Sequence, residues 1–249
     1  MKTKLKLRKI FILCFRLSET RKLSSLEEYL KLGGYVDSSE ELINFVSNLK
    51  NLLPNNNTAV ALRIFNFVKE IKWGASPIYK ASQAFRKKDR PQICVSKAIL
   101  QVALCRIAKI PARFHCWKVK FSQNVIDRIN DALFKKSSQK FRNRELFHVA
   151  AEVYLDSWFV ADATIDKGLN SIFPPTMWNG KSNAYQKGFE IIEDYGNFAD
   201  VPEITLKVNR LAVPFYLKPL SPIVSFLANR RINSLLEKLR QRSHGKTYR

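Results

Sequence analysis

The sequence predicts an α+β fold: helices first, then an antiparallel sheet, with one central apolar helix packed on that sheet. Three observations predict it. Residues 25 to 86 hold segments with apolar residues at helical spacing. The stretch from Gln92 to Arg113, QICVSKAILQVALCRIAKIPAR, reads as a polar turn followed by a helix apolar enough to bury a whole side. The residues after it contain alternating runs that read as strands. At 249 residues and 46% hydrophobic, the chain is long enough to bury a sizeable core. It divides into a basic N-terminal arm (1–24), a main domain (25–205) and a basic C-terminal extension with an amphipathic helix (206–249).

In chain order, Ser25 and Glu28 form a capping box that opens a short helix through Leu32, ended by Gly33 and Gly34. Ser38 and Glu41 open the next, with Leu42, Phe45, Val46 and Leu49 on one face until Pro54. Thr58 is the expected cap of a third helix carrying Val60, Ile64, Phe67, Val68 and Ile71. A short helix over 81–85 leads to the charged link 86–90, and the central helix runs from Cys94 to Pro111. The run ARFHCWKVKF alternates as a strand, with His115, Trp117, Val119 and Phe121 on one face and Phe114 and Cys116 on the other. Val125, Ile129 and Leu133 mark a helix, 135–144 a basic loop, and 148–155 with 158–164 a hairpin around Asp156 and Ser157. One more strand is expected over 189–192. Ser221 and Pro222 start a last helix with Ile223, Phe226, Leu227, Leu235, Leu236 and Leu239 on one side and Arg230, Arg231, Lys238 and Arg240 on the other. Its stripe is expected to dock on its own domain or a partner, ahead of an anionic membrane surface.

The net charge of +22 implies a field that attracts anionic partners such as nucleic acid, anionic lipid or acidic protein, and is equally compatible with a basic surface that binds nothing. Cys14, Cys94, Cys105 and Cys116 lack CxxC or metal-ligand spacing, so no metal or other cofactor is expected and a reduced, cytoplasmic setting is the simplest reading. The basic start MKTKLKLRK is followed by an apolar run that Arg16 closes before the roughly 7–15 residues of a signal core. No signal and no membrane span are expected.

Cys94 taken alone is as often a buried structural cysteine as a nucleophile. At a helix start, however, it lies beside unpaired backbone N–H groups at the positive end of the helix dipole, which favours the thiolate. A His-bearing and an Asp-bearing strand follow, the order that Cys-His-Asp chemistry needs. His148 has His115 and His244 as rivals; His115 lies on a strand expected in the core, and His244 in a polar tail. Asp162 has Asp166 as a rival, which falls in a turn.

These residues also carry a family resemblance. Cys94, Ala98, Leu100, Leu104, Arg106 and Ile110-Pro111-Ala112-Arg113 are similar, in register, to the nucleophile segment of the transglutaminase-like superfamily. The family's second block is matched by His148, Glu152, Val153, Tyr154 and Leu155, then Trp158, Asp162 and Thr164. A weaker similarity runs from about Tyr29 to Pro202, where YGNFADVP resembles the closing segment of a bacterial branch. The resemblance implies a papain-like, transglutaminase-like core and a triad of Cys94, His148 and Asp162 acting on a peptide or protein amide. The implied activity is that of a thiol-dependent amide hydrolase or acyltransferase, peptidase-like or deamidase-like. The alternative is a catalytically weak domain of this type serving as a basic binding module for nucleic acid or an acidic partner.

Three departures bear on activity. Gln92 stands where the family has glycine, and its side-chain amide becomes a candidate oxyanion donor. No tryptophan follows Cys94, which argues against amine crosslinking. The hairpin turn is one residue short. A two-residue turn at Asp156 and Ser157 would place Asp162 opposite Ala151, on the wrong face for His148; a three-residue loop would pair Tyr154 with Trp158 and place Asp162 opposite Ala150. Neither Asp nor Ser favours the positive φ of a tight turn, so the longer loop is expected.

Overall fold

The structure is a computed structural model that describes residues 26–134, 143–203, 205 and 221–244. The arm over 1–24 with Cys14, the Ser25 cap and most of the loop 135–144 lie outside the described residues, as does the whole of 206–220. The first described turn is short, a 3₁₀ segment at Glu28–Leu30, and Gly33 and Gly34 then turn the chain with φ of 149° and 58°. Helix α1 spans Glu40–Leu52 and α2 spans Asn57–Glu70. Each begins off the expected residue. Ser39 rather than Ser38 precedes α1, and Asn56 rather than Thr58 caps α2, its side chain accepting from the Ala59 N–H at 2.9 Å. An Asn carbonyl at the cap position reaches that unpaired donor directly, and Thr58 already lies inside the helix.

After α3, Ala81–Arg86, comes the central helix α4, Cys94–Ile107, in which every residue from Val95 to Arg106 is buried. A helix buried all round needs apolar residues all round, which is what CVSKAILQVALCRI supplies apart from a few polar positions. It stops before Pro111. Lys109 takes the left-handed conformation (φ 65°), and the Ile110 N–H turns back to the Cys105 carbonyl at 2.9 Å, closing the helix end. Arg106 is buried and donates to the carbonyls of Lys31, Ala112 and Ala199, tying this end to the chain just beyond it and to two distant segments.

Strand β1, Ala112–Phe121, is followed by α5, Gln123–Phe134, then β2, Leu146–Tyr154, and β3, Trp158–Ala161. Strand β4, Phe189–Phe198, is longer than 189–192 because two register shifts let it follow β1 to its end. The sheet is antiparallel with order β3-β2-β1-β4. Alternation sends Phe114, Cys116, Val149, Ala151 and Val153 into the main core with α1 to α4. Trp117, Val119, Ala150 and Val160 point the other way, under Phe189. The molecule is thus α+β.

The last helix, α6, Ser221–His244, docks on this body. Leu236 and Leu239 join Ile126, Ile129, Leu169 and Phe173 in a second apolar cluster, each worth about 1.5–3 kcal/mol of burial. Arg240 is buried and grips Asp166 with Nε at 3.1 Å and Nη2 at 2.7 Å, while Nη2 also reaches the Trp73 carbonyl. Asn233 accepts from the Ala75 N–H at 2.8 Å beside Gly74, where any side chain would run into the Asn233 amide and Pro91. Phe226, Leu227 and Ile232 stay exposed. Among the described residues no helix is long and apolar enough to cross a membrane.

Candidate functional site

Cys94 is the first residue of α4, entered from Ile93 in extended conformation. The N–H groups of its first turn precede the helical ladder, which opens with the Lys97 N–H on the Ile93 carbonyl. The thiol is part-exposed, unlike those of Cys105 and Cys116, which are fully buried and which burial pushes up to about 12. Its sulfur lies 4.0 Å from the carbonyl of Phe147, the residue before His148, and the thiol is a hydrogen-bonding neighbour of the His148 ring.

His148 and Asp162 come together through the hairpin register. Tyr154 pairs with Trp158 and Ala151 with Ala161, so the loop has three residues, 155–157, closed by the Leu155 N–H on the Ser157 carbonyl. Continuing that register sets Asp162 across from Ala150, on the His148 face. His148 Nε2 donates to Asp162 Oδ2 at 2.6 Å, with both side chains almost fully buried. Nδ1 is the ring nitrogen left for Cys94. The other lone pairs of Asp162 are satisfied as well: Oδ1 accepts from the Thr164 N–H at 3.0 Å, and Oδ2 from the Gln186 N–H at 3.2 Å. Trp117 stacks on one side of the His148 ring and Phe189 meets it edge-on.

Burial is the largest influence on His148 and opposes its charge. The Asp162 charge and hydrogen bond, with Cys94 beside them, outweigh it and raise the imidazole to about 10. For Asp162 burial likewise works against the charge, and His148 and the Thr164 N–H overcome it, holding the carboxyl below its ordinary value. The pair is a buried imidazolium and carboxylate.

Gln92 is a correction. Its side-chain nitrogen donates to the carbonyls of Ala84 at 2.8 Å and Lys87 at 3.2 Å, and its backbone bridges to Lys72 and Gly74. Both amide protons are therefore spent on pinning the α3–α4 link, and none remains for an oxyanion. The backbone N–H groups at the start of α4 are the donors that remain.

The rivals go elsewhere. Asp166 is held by Arg240, the Trp73 N–H and the Gly168 N–H. His115 is clamped between Glu152 and Asp194, each at 2.7 Å, and stacks on the far face of Trp117 at 4.0 Å. The bulge that leaves Tyr195 unpaired, with Gly196 at φ 79°, aims Asp194 at this ring. The His244 side chain lies outside the described residues. Two partners were not foreseen: Lys97 and Gln101, three and seven positions after Cys94, whose side chains reach the segment holding Asp162. The signal available was a Lys and a Gln at helical spacing from the cysteine in an otherwise apolar helix. Among the described residues no group of three or more His, Cys, Asp or Glu could hold a metal ion.

A family model described as the transglutaminase-like superfamily matches residues 48–163. Among solved structures, the chain is similar to a protein of Cytophaga hutchinsonii described as a candidate cysteine protease, at 18% identity and a TM-score of 0.44, over 71% of this chain and 47% of that one. The chain therefore spans about half the length of that protein. No curated protein sequence matches. The matched stretch holds Cys94, His148 and Asp162, and over residues 48–163 the chain is similar to the transglutaminase-like superfamily.

Proposed function

We propose that the chain is a cysteine-nucleophile amide hydrolase or acyltransferase, peptidase-like or deamidase-like, with Cys94 as nucleophile, His148 as base and acid, and Asp162 as the group that orients His148. The observation that carries this is the buried 2.6 Å bond from His148 Nε2 to Asp162, which leaves the other ring nitrogen for the thiol at the start of α4. With His148 held as the imidazolium, Cys94 reacts as the thiolate paired with it and attacks an amide carbonyl carbon, while the first-turn N–H groups of α4 stabilise the oxyanion. The C–N bond breaks as the imidazolium gives its proton to the departing ammonia or amine, leaving a thioester on Cys94. Water or a second amine then attacks, His148 accepting its proton, and the Cys94 thiolate departs beside the restored imidazolium as the acid or new amide is released.

The test is mass spectrometry of the protein incubated with peptides and amines, looking for an acyl adduct on Cys94 that is absent in Cys94→Ser. Full activity in Cys94→Ser would defeat the proposal. Alkylation of Cys94 at neutral pH should also slow in His148→Ala.

A second reading, a basic binding module, rests on a separate observation. The fold brings the basic link 86–90 against α6, where Lys87, Arg90 and Arg230 line one cleft of about 420 Å³ with Phe226 and no carboxylate. Exposed Arg231, Lys238 and Arg242 continue the stripe along α6. Binding of a labelled oligonucleotide that weakens steeply with salt and is lost in Arg230→Glu/Arg231→Glu, without any Cys94 adduct, would favour this reading.

A further inference from the structure

The helix that begins at Cys94 carries its own struts to the acid. Lys97 and Gln101 follow the thiol at i+3 and i+7, so all three lie along one side of α4. Both are 1% exposed. Gln101 Nε2 donates to the Ala161 carbonyl at 2.9 Å, and Lys97 Nζ donates to the Thr164 carbonyl at 2.7 Å and the Ile71 carbonyl at 2.6 Å. Ala161 precedes Asp162, and Thr164 follows it by two. The backbone of Thr164 is used twice, its N–H holding Asp162 Oδ1 and its carbonyl held by Lys97.

A buried lysine is costly unless it does something a hydrophobic residue cannot. Here an apolar side chain would leave the Thr164 and Ile71 carbonyls without their donor and the segment after β3 without a link to α4. We propose that Lys97 and Gln101 are positioning residues that fix Asp162 from both sides against the helix bearing Cys94, and so set how firmly the carboxylate holds the His148 proton. The proposal rests on the Cys94–His148–Asp162 reading and deepens it.

The charged groups that face Lys97 are Asp166 and Asp162, which favour its ammonium form, and Lys69 and Arg240, which oppose it. Burial, the largest influence, brings it down to about 7. Above pH 7 the side chain is therefore mainly a neutral amine that keeps two N–H donors for its two short bonds. In the alkaline range where His148 gives up its proton, removing Lys97 removes the strut and not a charge.

The experiment is titration of the imidazole nitrogens by long-range ¹H–¹⁵N spectroscopy, which three histidines make assignable with His148→Ala as reference. Wild type should give a His148 midpoint near 10. Lys97→Met keeps the stem and drops the donors; its midpoint should fall by about one pH unit, a tenfold weaker hold on the proton. Gln101→Leu should shift it the same way by less, and it decides the matter if Lys97→Met does not fold. An unmoved midpoint in the folded variants, however much their unfolding temperatures drop, overturns the proposal, because a purely structural role would lower stability alone. Alkylation of wild-type Cys94 runs alongside. If its rate is indifferent to His148→Ala, the catalytic reading has failed whether or not the midpoint moves.

Discussion

Asp162→Asn is nearly isosteric and removes one charge from the centre of the site. In the native protein the imidazole of His148 stands at about 10 against an ordinary 6.5. That gap corresponds to roughly 5 kcal/mol of preference for the imidazolium in the folded state. Because the folded value lies above the unfolded one, this stabilisation is present in full below pH 6.5 and is lost as pH rises through about 10. Stability should therefore fall on the alkaline side with a slope approaching about 1.4 kcal/mol per pH unit. Asp162 contributes in the opposite sense. Its folded value lies below its ordinary one, so its contribution is present above the usual carboxylate range and is lost on acidification. The two belong to one coupled pair, and only the pair's apparent values are observable. In Asp162→Asn the burial that disfavours the charge remains and its main counterweight is gone, so His148 should titrate well below its native value and the alkaline slope should flatten. Urea unfolding at half-unit steps from pH 5 to 10, with imidazole titration in parallel, measures both. An Asp162→Asn protein whose His148 still titrates near 10, or whose unfolding keeps the wild-type alkaline slope, refutes the reasoning. Amide turnover in the same variant should drop by about 10⁴-fold, the order expected when a triad loses its orienting acid.

Other outcomes are expected from the same geometry. In a Cys14→Ser background, brief iodoacetamide treatment at pH 8 should modify Cys94 ahead of Cys105 and Cys116, whose thiols are held near 12; peptide mapping reads the order. Arg240→Met leaves the Asp166 carboxylate buried without its main partner and should cost about 3–5 kcal/mol in urea unfolding. Lys72→Met, which removes the exposed pair with Glu237, should cost under about 1 kcal/mol. Trp117→Ala removes the ring between His115 and His148 and should cost about 3–5 kcal/mol, read by the same assay.

The fold was legible where spacing alone decides structure. The helices α1, α2 and α5 show their apolar faces at period 3.6, and β1 shows its alternation, so their existence followed from local pattern. The hairpin register followed from turn chemistry, since Asp156 and Ser157 are poor residues for a two-residue turn. Boundaries were harder, because they depend on single hydrogen bonds. Asn56 outcompeted Thr58 as a cap, and Lys109 ended α4 by taking a left-handed conformation that is uncommon for lysine. Least legible were polar residues whose partners lie far along the chain. Lys97, Gln101 and Gln92 donate to backbone carbonyls, which carry no side-chain identity and so leave no trace in sequence. The clamp on His115 depends on a bulge in β4 that only the paired strands reveal.

The bond between Arg240 and Asp166 spans 74 positions, and this separation has a bearing on how the protein is made. Synthesis at about 5–20 residues per second puts Asp166 through the ribosome roughly 4–15 seconds before Arg240. Before the interval ends the nascent chain holds every strand of the sheet, β4 included, yet Asp166, four residues past Asp162, has the Trp73 and Gly168 amides but not Arg240 to hold it. Water must solvate its charge until α6 arrives. The nascent chain thus completes the surroundings of Asp166 after Cys94, His148 and Asp162 have been made, and a ribosome stalled within α6 would carry those three residues with the Asp166 support still open.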